Sequence, residues 1–452
     1  MGNNSNGRQT LAILVGGGPA PGINGVIASA TIEAVNRGLR VLGLIEGYRW
    51  LVKGNPSHAV ELGIRDVSRI HFTGGSILRT SRINPACDQE SLERTVDTLT
   101  KLGVRYLVCI GGDDTTFGSA KVAEHAQGRI SVVTVPKTID NDLPLPENAP
   151  TFGFESARAA GTAIVESLME DARTTGRWYL AITMGRRSGA LALGMCKSAG
   201  ATLAIIPEEF GTEKLDLGLV ADAIVGAIIK RKASGRDDGV ALISEGIGER
   251  LDPEKMPSLK ELERDAYGQV HLADLPLGAL LRERIRTTLD ELGVKATVVT
   301  KDIGYELRCT KPIPFDVEYT RTLGFGAVRY LLGGGSGALI ATTGGRITPV
   351  ALDDLLDPHS GRVRVRAVNV ATESYHVARY YMIRLEPWDL EEPSLPHLAS
   401  LTKLSKQEFR DRFLPAVSQT VSLPDRSAPP DAAELSFDGA ESRAELASEP
   451  SS

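Results

Sequence analysis

The run VPKTIDND at 135–142 carries two carboxylates two residues apart, with a lysine and a threonine close by. It closes the apolar stretch ISVVTVP. If the chain stays extended beyond that stretch, side chains alternate, so Thr138, Asp140 and Asp142 share one face at the strand's end. One carboxylate could then act as a general base while its neighbour tunes its pKa or helps hold a metal, and Lys137 supplies a cation beside them. The same residues also suit a plain Asx turn, and residue types alone leave both readings standing. A second run, IGGDDTTFG at 110–118, follows the apolar YLVCI. A Gly-Gly corner after a buried strand usually offers backbone N–H groups to a phosphate. Here it carries Asp113 and Asp114. One of them can be a metal ligand, but the second stands where an anion should be repelled.

Other corners share this chemistry. VGGGPAPGINGVI at 15–27 puts three glycines, ending in Gly18, before a helix. The dinucleotide fingerprint fails there because position 21 is Pro21, and the P-loop fails because Ile23 and Asn24 follow Gly22. A tight structural turn therefore remains a competing reading. FTGGSILRTSR at 72–82 joins a Gly pair to Arg79 and Arg82, a pairing suited to phosphate. Met184, Gly185, Arg186 and Arg187 end the run WYLAITM, which begins beside Arg177. Glu245 follows GVALIS, and Tyr305 and Arg308 lie in IGYELR after KATVVT. Each corner alone is weak. Their recurrence at strand ends suits two phosphate groups, a metal and a base.

Such corners need elements to hold them. Nine short apolar runs (TLAILV, RVLGLI, YLVCI, ISVVTVP, WYLAITM, ATLAIIP, GVALISE, KATVVT and GALIATT) alternate with helical patterns, including 154–172, 188–199 and 217–233. Uninterrupted apolar strands separated by helices indicate α/β architecture with parallel sheets covered on both faces. The 452 residues, 42% hydrophobic and 24% charged, suit two globular domains. A net charge of −6 argues against a general nucleic-acid binder. Of the four cysteines, Cys109 and Cys196 read as core fillers, and the wide spacing disfavours a zinc or disulfide framework and favours a reducing cytosol. No apolar run reaches the roughly 18 residues of a membrane span, and the first nine residues lack a signal peptide's apolar segment. Residues 249–275 read as an exposed excursion, and the Ser-, Ala-, Pro- and acid-rich segment from 422 as a disordered tail.

Taken in order, GGPAPGIN, GGDDT, PKTIDND, MGRRSG, the Glu245–Gly246 pair and GYELR resemble the phosphofructokinase family, over roughly residues 10 to 345. The resemblance implies two similar Rossmann-like three-layer α/β domains with mainly parallel sheets and the active site in the cleft between them. The expected division is a flexible 1–9, a phosphoryl-donor domain of 10–152 and 310–365, a sugar-phosphate domain of 153–309 and 366–421, and a tail of 422–452. It also implies a cytoplasmic glycolytic enzyme that transfers a phosphoryl group reversibly to the 1-hydroxyl of fructose 6-phosphate with Mg²⁺. Matched by position, Gly18, Arg82 and Lys137 meet the donor and Asp113 the Mg²⁺. Asp140 matches the base, with Thr138, Ile139 and Asp142 beside it. Met184, Gly185, Arg186, Glu245, Tyr305 and Arg308 match the sugar-phosphate pocket. Arg177 matches an arginine that reaches a partner subunit's substrate, which implies a homodimer or homotetramer.

Two departures point to the pyrophosphate-dependent branch of the family. ATP-using members typically carry glycine at the positions of Asp114 and Lys137. A fixed carboxylate roughly 4 Å from a nucleotide phosphate costs about 1 kcal/mol in water and about 4 kcal/mol at an effective dielectric of about 20. Pyrophosphate has no third phosphate to place there, and the Lys137 ammonium can neutralise charge on its leaving half. Tyr305 replaces a histidine of many bacterial ATP-using members, in keeping with that branch, while Val299 stands where those members tend to have another arginine. The alternatives are an ATP-dependent 6-phosphofructokinase and a non-catalytic sugar-phosphate-binding regulator. The second is disfavoured because Asp113, Lys137, Asp140 and Asp142 are all present.

Overall fold

The computed structural model describes residues 8–211, 214–252, 275–421 and 423. The segments expected as a flexible N-terminus, an exposed excursion and a C-terminal tail lie wholly or mostly outside these residues. The described residues form twelve strands: β1 (Thr10–Val15), β2 (Arg40–Leu44), β3 (Ala59–Glu61), β4 (Val104–Gly111), β5 (Ser131–Thr138), β6 (Phe152–Gly153), β7 (Arg177–Thr183), β8 (Leu203–Ile205), β9 (Gly239–Ser244), β10 (Thr297–Ile303), β11 (Ala338–Thr343) and β12 (Arg346–Ala351). All nine apolar runs are strands. The three additional ones lack such a signal: β3 and β6 are very short, and β12 contains Pro349 on an antiparallel edge where few side chains are buried.

The strands form two sheets. One runs in the order β12-β11-β5-β4-β1-β2-β3, with β6 paired to the end of β5, and is parallel except at its two edges. The other, β10-β7-β9-β8, is wholly parallel. Alternation along β1 sends Leu11, Ile13 and Val15 into one core and Ala12 and Leu14 into the core on the opposite face. Cys109 fills the second of these cores, and Cys196 is buried in the core around the other sheet. That core also takes in Tyr375, Phe409 and Phe413, so the described C-terminal segment packs back onto the second sheet. Both sheets are covered by helices, as expected of parallel strands.

Helices expected over 154–172, 188–199 and 217–233 occur at Phe154–Thr175, Ala190–Ala199 and Leu217–Ala233. Gly176, in the left-handed region at φ 63°, ends the first of them. Its N-terminus is capped from a distance: the buried Asp316 carboxylate accepts from Gly153 N and Ser156 N, each at 2.8 Å, and from Ser156 Oγ at 2.5 Å. Asp316 belongs to helix Pro314–Leu332, which packs with helix Ile23–Asn36 against the first sheet. Among the described residues, no helix is long and apolar enough to cross a membrane.

Candidate active site

Except for 72–82, which follows helix Ile64–Val67, the loops singled out for chemistry leave the C-terminal ends of parallel strands. Gly16–Gly18 follows β1, Gly112–Asp114 follows β4, Ile139–Asp142 follows β5, Met184–Arg187 follows β7, Glu245 follows β9 and Gly304–Arg308 follows β10. In the first sheet the order reverses between β1 and β4, the kind of crevice where open α/β sheets bind ligands. Register brings the loops level. Val15 pairs with Ile110, and Gly111 with Pro136, so the Asp113 corner stands beside Lys137. Gly16 and Gly111 leave room for one side chain between them: a Cβ on either would come within 2.3 Å or 2.2 Å of Thr115 Oγ1 or Cβ. Helix Asp113–Ala126 can therefore start close against β1.

Lys137 is the central cation. It is 5% exposed, and its ammonium donates to the Gly18 carbonyl. Burial and the Arg308 guanidinium bring its pKa down to about 8, while Asp140, Asp142 and Asp113 pull the other way. The carboxylates show the complementary effect. Burial and then Glu245 raise Asp140 to about 6, against Arg308 and the Arg186 backbone N–H. Burial, then Asp140 and Asp113, raise Asp142 to about 7. Asp140 and Asp142 therefore titrate as a pair. Asp114, at the mouth of the cleft in the same first turn as Asp113, is raised by desolvation and by Asp113, against Arg187, Arg362 and Arg186.

The expectation of an extended run from Thr138 to Asp142 is corrected. β5 ends at Thr138, whose Oγ1 accepts from Asp140 N at 3.0 Å, and Asn141 adopts the left-handed conformation at φ 57°. The local hydroxyl bond turns the chain, so the two aspartates meet through the turn rather than through strand alternation.

Across the cleft, Gly185 adopts φ 132°, and a Cβ there would meet Ser188 O at 2.6 Å, so the loop after β7 needs glycine. Gly185 N donates to Glu245 at 3.3 Å, Ser244 Oγ donates to Gly185 O at 2.8 Å, and Arg186 Nε lies 2.5 Å from Glu249. Burial raises the pKa of Glu245, with Gly185 N–H, Arg308 and Arg186 opposing it. Met184 N donates to Ile303 O at 3.2 Å, which joins this loop to the end of β10. The Arg308 guanidinium lies 5.0 Å from the centre of the Tyr305 ring, itself 67% exposed.

The structure thus gathers Gly18, Asp113, Asp114, Lys137, Thr138, Asp140, Asp142, Gly185, Arg186, Glu245 and Arg308 around one cleft, with buried Ile139 beneath them. Exposed Arg82 joins the glycine corner through Ser81, which bridges Gly16 and accepts from Gly17 N at 2.8 Å. Arg79 turns away to Glu46 at 3.2 Å. Arg177 does not join the others. It begins β7, about 20 Å from the end that carries Gly185 for a seven-residue strand. Its Nε lies 3.9 Å from Asp171.

Three contributors went unassigned in the sequence. Arg187 Nη1 lies 3.1 Å from Asp113 Oδ2, so a guanidinium from the second sheet's loop neutralises the carboxylate of the first. Glu208 and Arg366 hold the loops from behind. All three act through contacts distant in the chain, and only Arg187, next to Arg186, lay within a chemical motif. For a divalent metal, no cluster of three acidic, His or Cys groups occurs among the described residues. Mg²⁺ is commonly held by one or two carboxylates together with substrate phosphates and water, so Asp113 at the mouth of a phosphate corner fits that ion.

Comparison with known proteins agrees with this geometry. The phosphofructokinase family model matches residues 10–331. The chain is 55% identical over 411 residues to the pyrophosphate–fructose 6-phosphate 1-phosphotransferase of Thermotoga maritima, covering 90% of this chain and 98% of that one. It is 50% identical over 414 residues to the protein of the same name from Naegleria fowleri, covering 89% and 95%. The pyrophosphate-dependent phosphofructokinase structure from Marinobacter aquaeolei shares the fold, with a TM-score of 0.61 at 15% identity over 93% of this chain and 95% of that one. The chain belongs to the phosphofructokinase family.

Proposed function

We propose that the protein transfers a phosphoryl group from pyrophosphate to the 1-hydroxyl of fructose 6-phosphate, reversibly, giving fructose 1,6-bisphosphate and phosphate. The observation that carries this reading is Lys137, a buried ammonium held on the Gly18 carbonyl and set among Asp113, Asp140 and Asp142. Asp140 accepts the hydroxyl proton as the sugar oxygen bonds to the near phosphorus and the bridging P–O bond breaks. The Arg186 backbone N–H favours its ionised form. Lys137 neutralises the charge gathering on the departing phosphate, and Gly18 and Arg82 line the donor side. Asp114 repels the extra phosphate of a nucleotide. Arg186, Glu245, Tyr305 and Arg308 receive the sugar phosphate beside Met184 and Gly185, while Thr138, Ile139 and Asp142 shape the base loop. Mg²⁺ on Asp113 would supply charge neutralisation to the phosphates.

The same reading divides the chain into a donor half of 10–152 and 310–365 and a sugar half of 153–309 and 366–421, in a cytoplasmic homodimer or homotetramer. Arg177, at the start of β7 and away from the strand end that carries Gly185, reaches a sugar phosphate only in a neighbouring subunit. Assay of the purified protein with fructose 6-phosphate tests the donor. Turnover with pyrophosphate and far slower turnover with ATP is expected; equal rates would overturn the donor assignment, and no turnover with either would overturn the reaction.

A further inference from the structure

Arg366 is far from the base loop in sequence and hydrogen-bonded to it throughout. Its backbone N donates to Asp142 O at 2.7 Å, Nε to Asn141 O at 3.0 Å and Nη1 to Ala149 O at 2.7 Å, while Nη2 bonds Asn141 Oδ1. Asn141, at φ 57°, is the residue between the two aspartates, and its Oδ1 also accepts from Thr151 N at 3.0 Å. A non-glycine residue persists in that conformation when its surroundings over-determine it. Here the guanidinium does so, because its planar fork reaches three acceptors that a point cation could not hold together.

Two residues further on, Val368 N donates to Glu208 Oε1 at 3.0 Å, and the same oxygen accepts from Gly189 N at 2.9 Å. Gly189 ends the loop that begins with Gly185 and Arg186. The contacts therefore run in one chain from the base loop to the sugar-side loop: Asn141 and Asp142 to Arg366, Val368 to Glu208, and Glu208 to Gly189.

We propose that Arg366 is a positioning residue for the base loop, and that segment 366–368 straps this loop to the sugar-side loop so that the two are set against each other as one unit. The proposal rests on the assignment of Asp140 as base. The strap touches no donor group of that assignment, so its loss misplaces the base without weakening pyrophosphate binding.

The test combines steady-state kinetics with hydrogen–deuterium exchange on the full chain, wild type against Arg366→Lys and Glu208→Ala. In Arg366→Lys, kcat falls about 10- to 100-fold, with KM for pyrophosphate within about twofold, the pattern of a displaced catalytic group. Amides at 140–151 lose protection in the same variant. They also lose it in Glu208→Ala, which alters a residue bonded to Gly189 and Val368 rather than to that segment, a response that a purely local structural role would not give. An unchanged kcat, parallel loss of kcat and both KM values, or unchanged exchange at 140–151 in Glu208→Ala overturns the strap. Should the wild type fail to turn over pyrophosphate, the proposed function falls, and the exchange pattern of the two variants still decides the strap.

Discussion

Beside β8, Glu209 and Arg384 are each 2% exposed and lie 2.7 Å apart, and Tyr375 donates to the other Glu209 oxygen at 2.8 Å. Nearby, Arg379 pairs with Glu386 at 2.5 Å and Lys230 with Asp389 at 2.6 Å. In the cleft, Asp140, Asp142 and Glu245 are half-buried, and desolvation raises all three carboxyls, as it also raises Glu386. Lys137 and Arg308 must serve them together. The first group is charge-matched pair by pair, so burial is compensated locally and the result is a brace for the C-terminal segment. The second is under-compensated. Half-buried carboxylates without dedicated cationic partners mark where the protein waits for a cationic or proton-donating visitor.

Removing charge from each region sharpens the contrast. The largest effect is expected for Asp140→Asn, with kcat down about 10²- to 10⁴-fold and fructose 6-phosphate affinity nearly kept. Near-normal turnover would erase the distinction between the two clusters. Next, Arg384→Met strands the Glu209 carboxylate, and urea titration should record a loss of about 3–5 kcal/mol while the folded fraction keeps its kcat. A stability change below about 1 kcal/mol would show that the brace is not one.

A smaller effect appears in the pH dependence of kcat/KM. With Asp140 as the proposed base, the rate is expected to climb as pH rises through its value of about 6, and the paired Asp142 to broaden that limb. With Lys137 acting as a cation, the rate is expected to decline as pH passes about 8. Lys137→Arg should remove the alkaline limb; its persistence would assign that limb elsewhere. Smallest is Asp114→Gly, which relieves about 1 kcal/mol of repulsion and should make ATP binding measurable by calorimetric titration. No binding would mean that other groups exclude the nucleotide.

What was legible in the sequence follows from range. Lys137, Asp140 and Asp142 share one short run at a strand end, and their neighbours recur at the ends of other apolar strands, so period and position announce them together. The exact turn at 138–142 was not legible, because a threonine hydroxyl and a left-handed asparagine override strand alternation. The pairing of Arg187 with Asp113, and the places of Arg366 behind Asn141 and of Glu208 between Gly189 and Val368, were invisible for a different reason. An arginine or glutamate outside a periodic pattern looks like any solvated charge until the fold supplies its partner. The edge strand β12 escaped similarly, since its pairing with β11 is set by the neighbour rather than by its own residues.

The cap made by Asp316 bears on how the cleft can move. One buried carboxylate bonds helix Pro314–Leu332, seated on the first sheet, to the first turn of helix Phe154–Thr175, seated on the second. Bonds gathered at a single point resist sliding far more than they resist rotation, so the point behaves as a hinge pin. A few degrees of swing leave Gly153 and Ser156 where they are, while the displacement grows with distance from the pin toward the mouth of the cleft. The Arg187–Asp113 pair and the 366–368 strap join the two sides as well, so they limit how far such a swing can go.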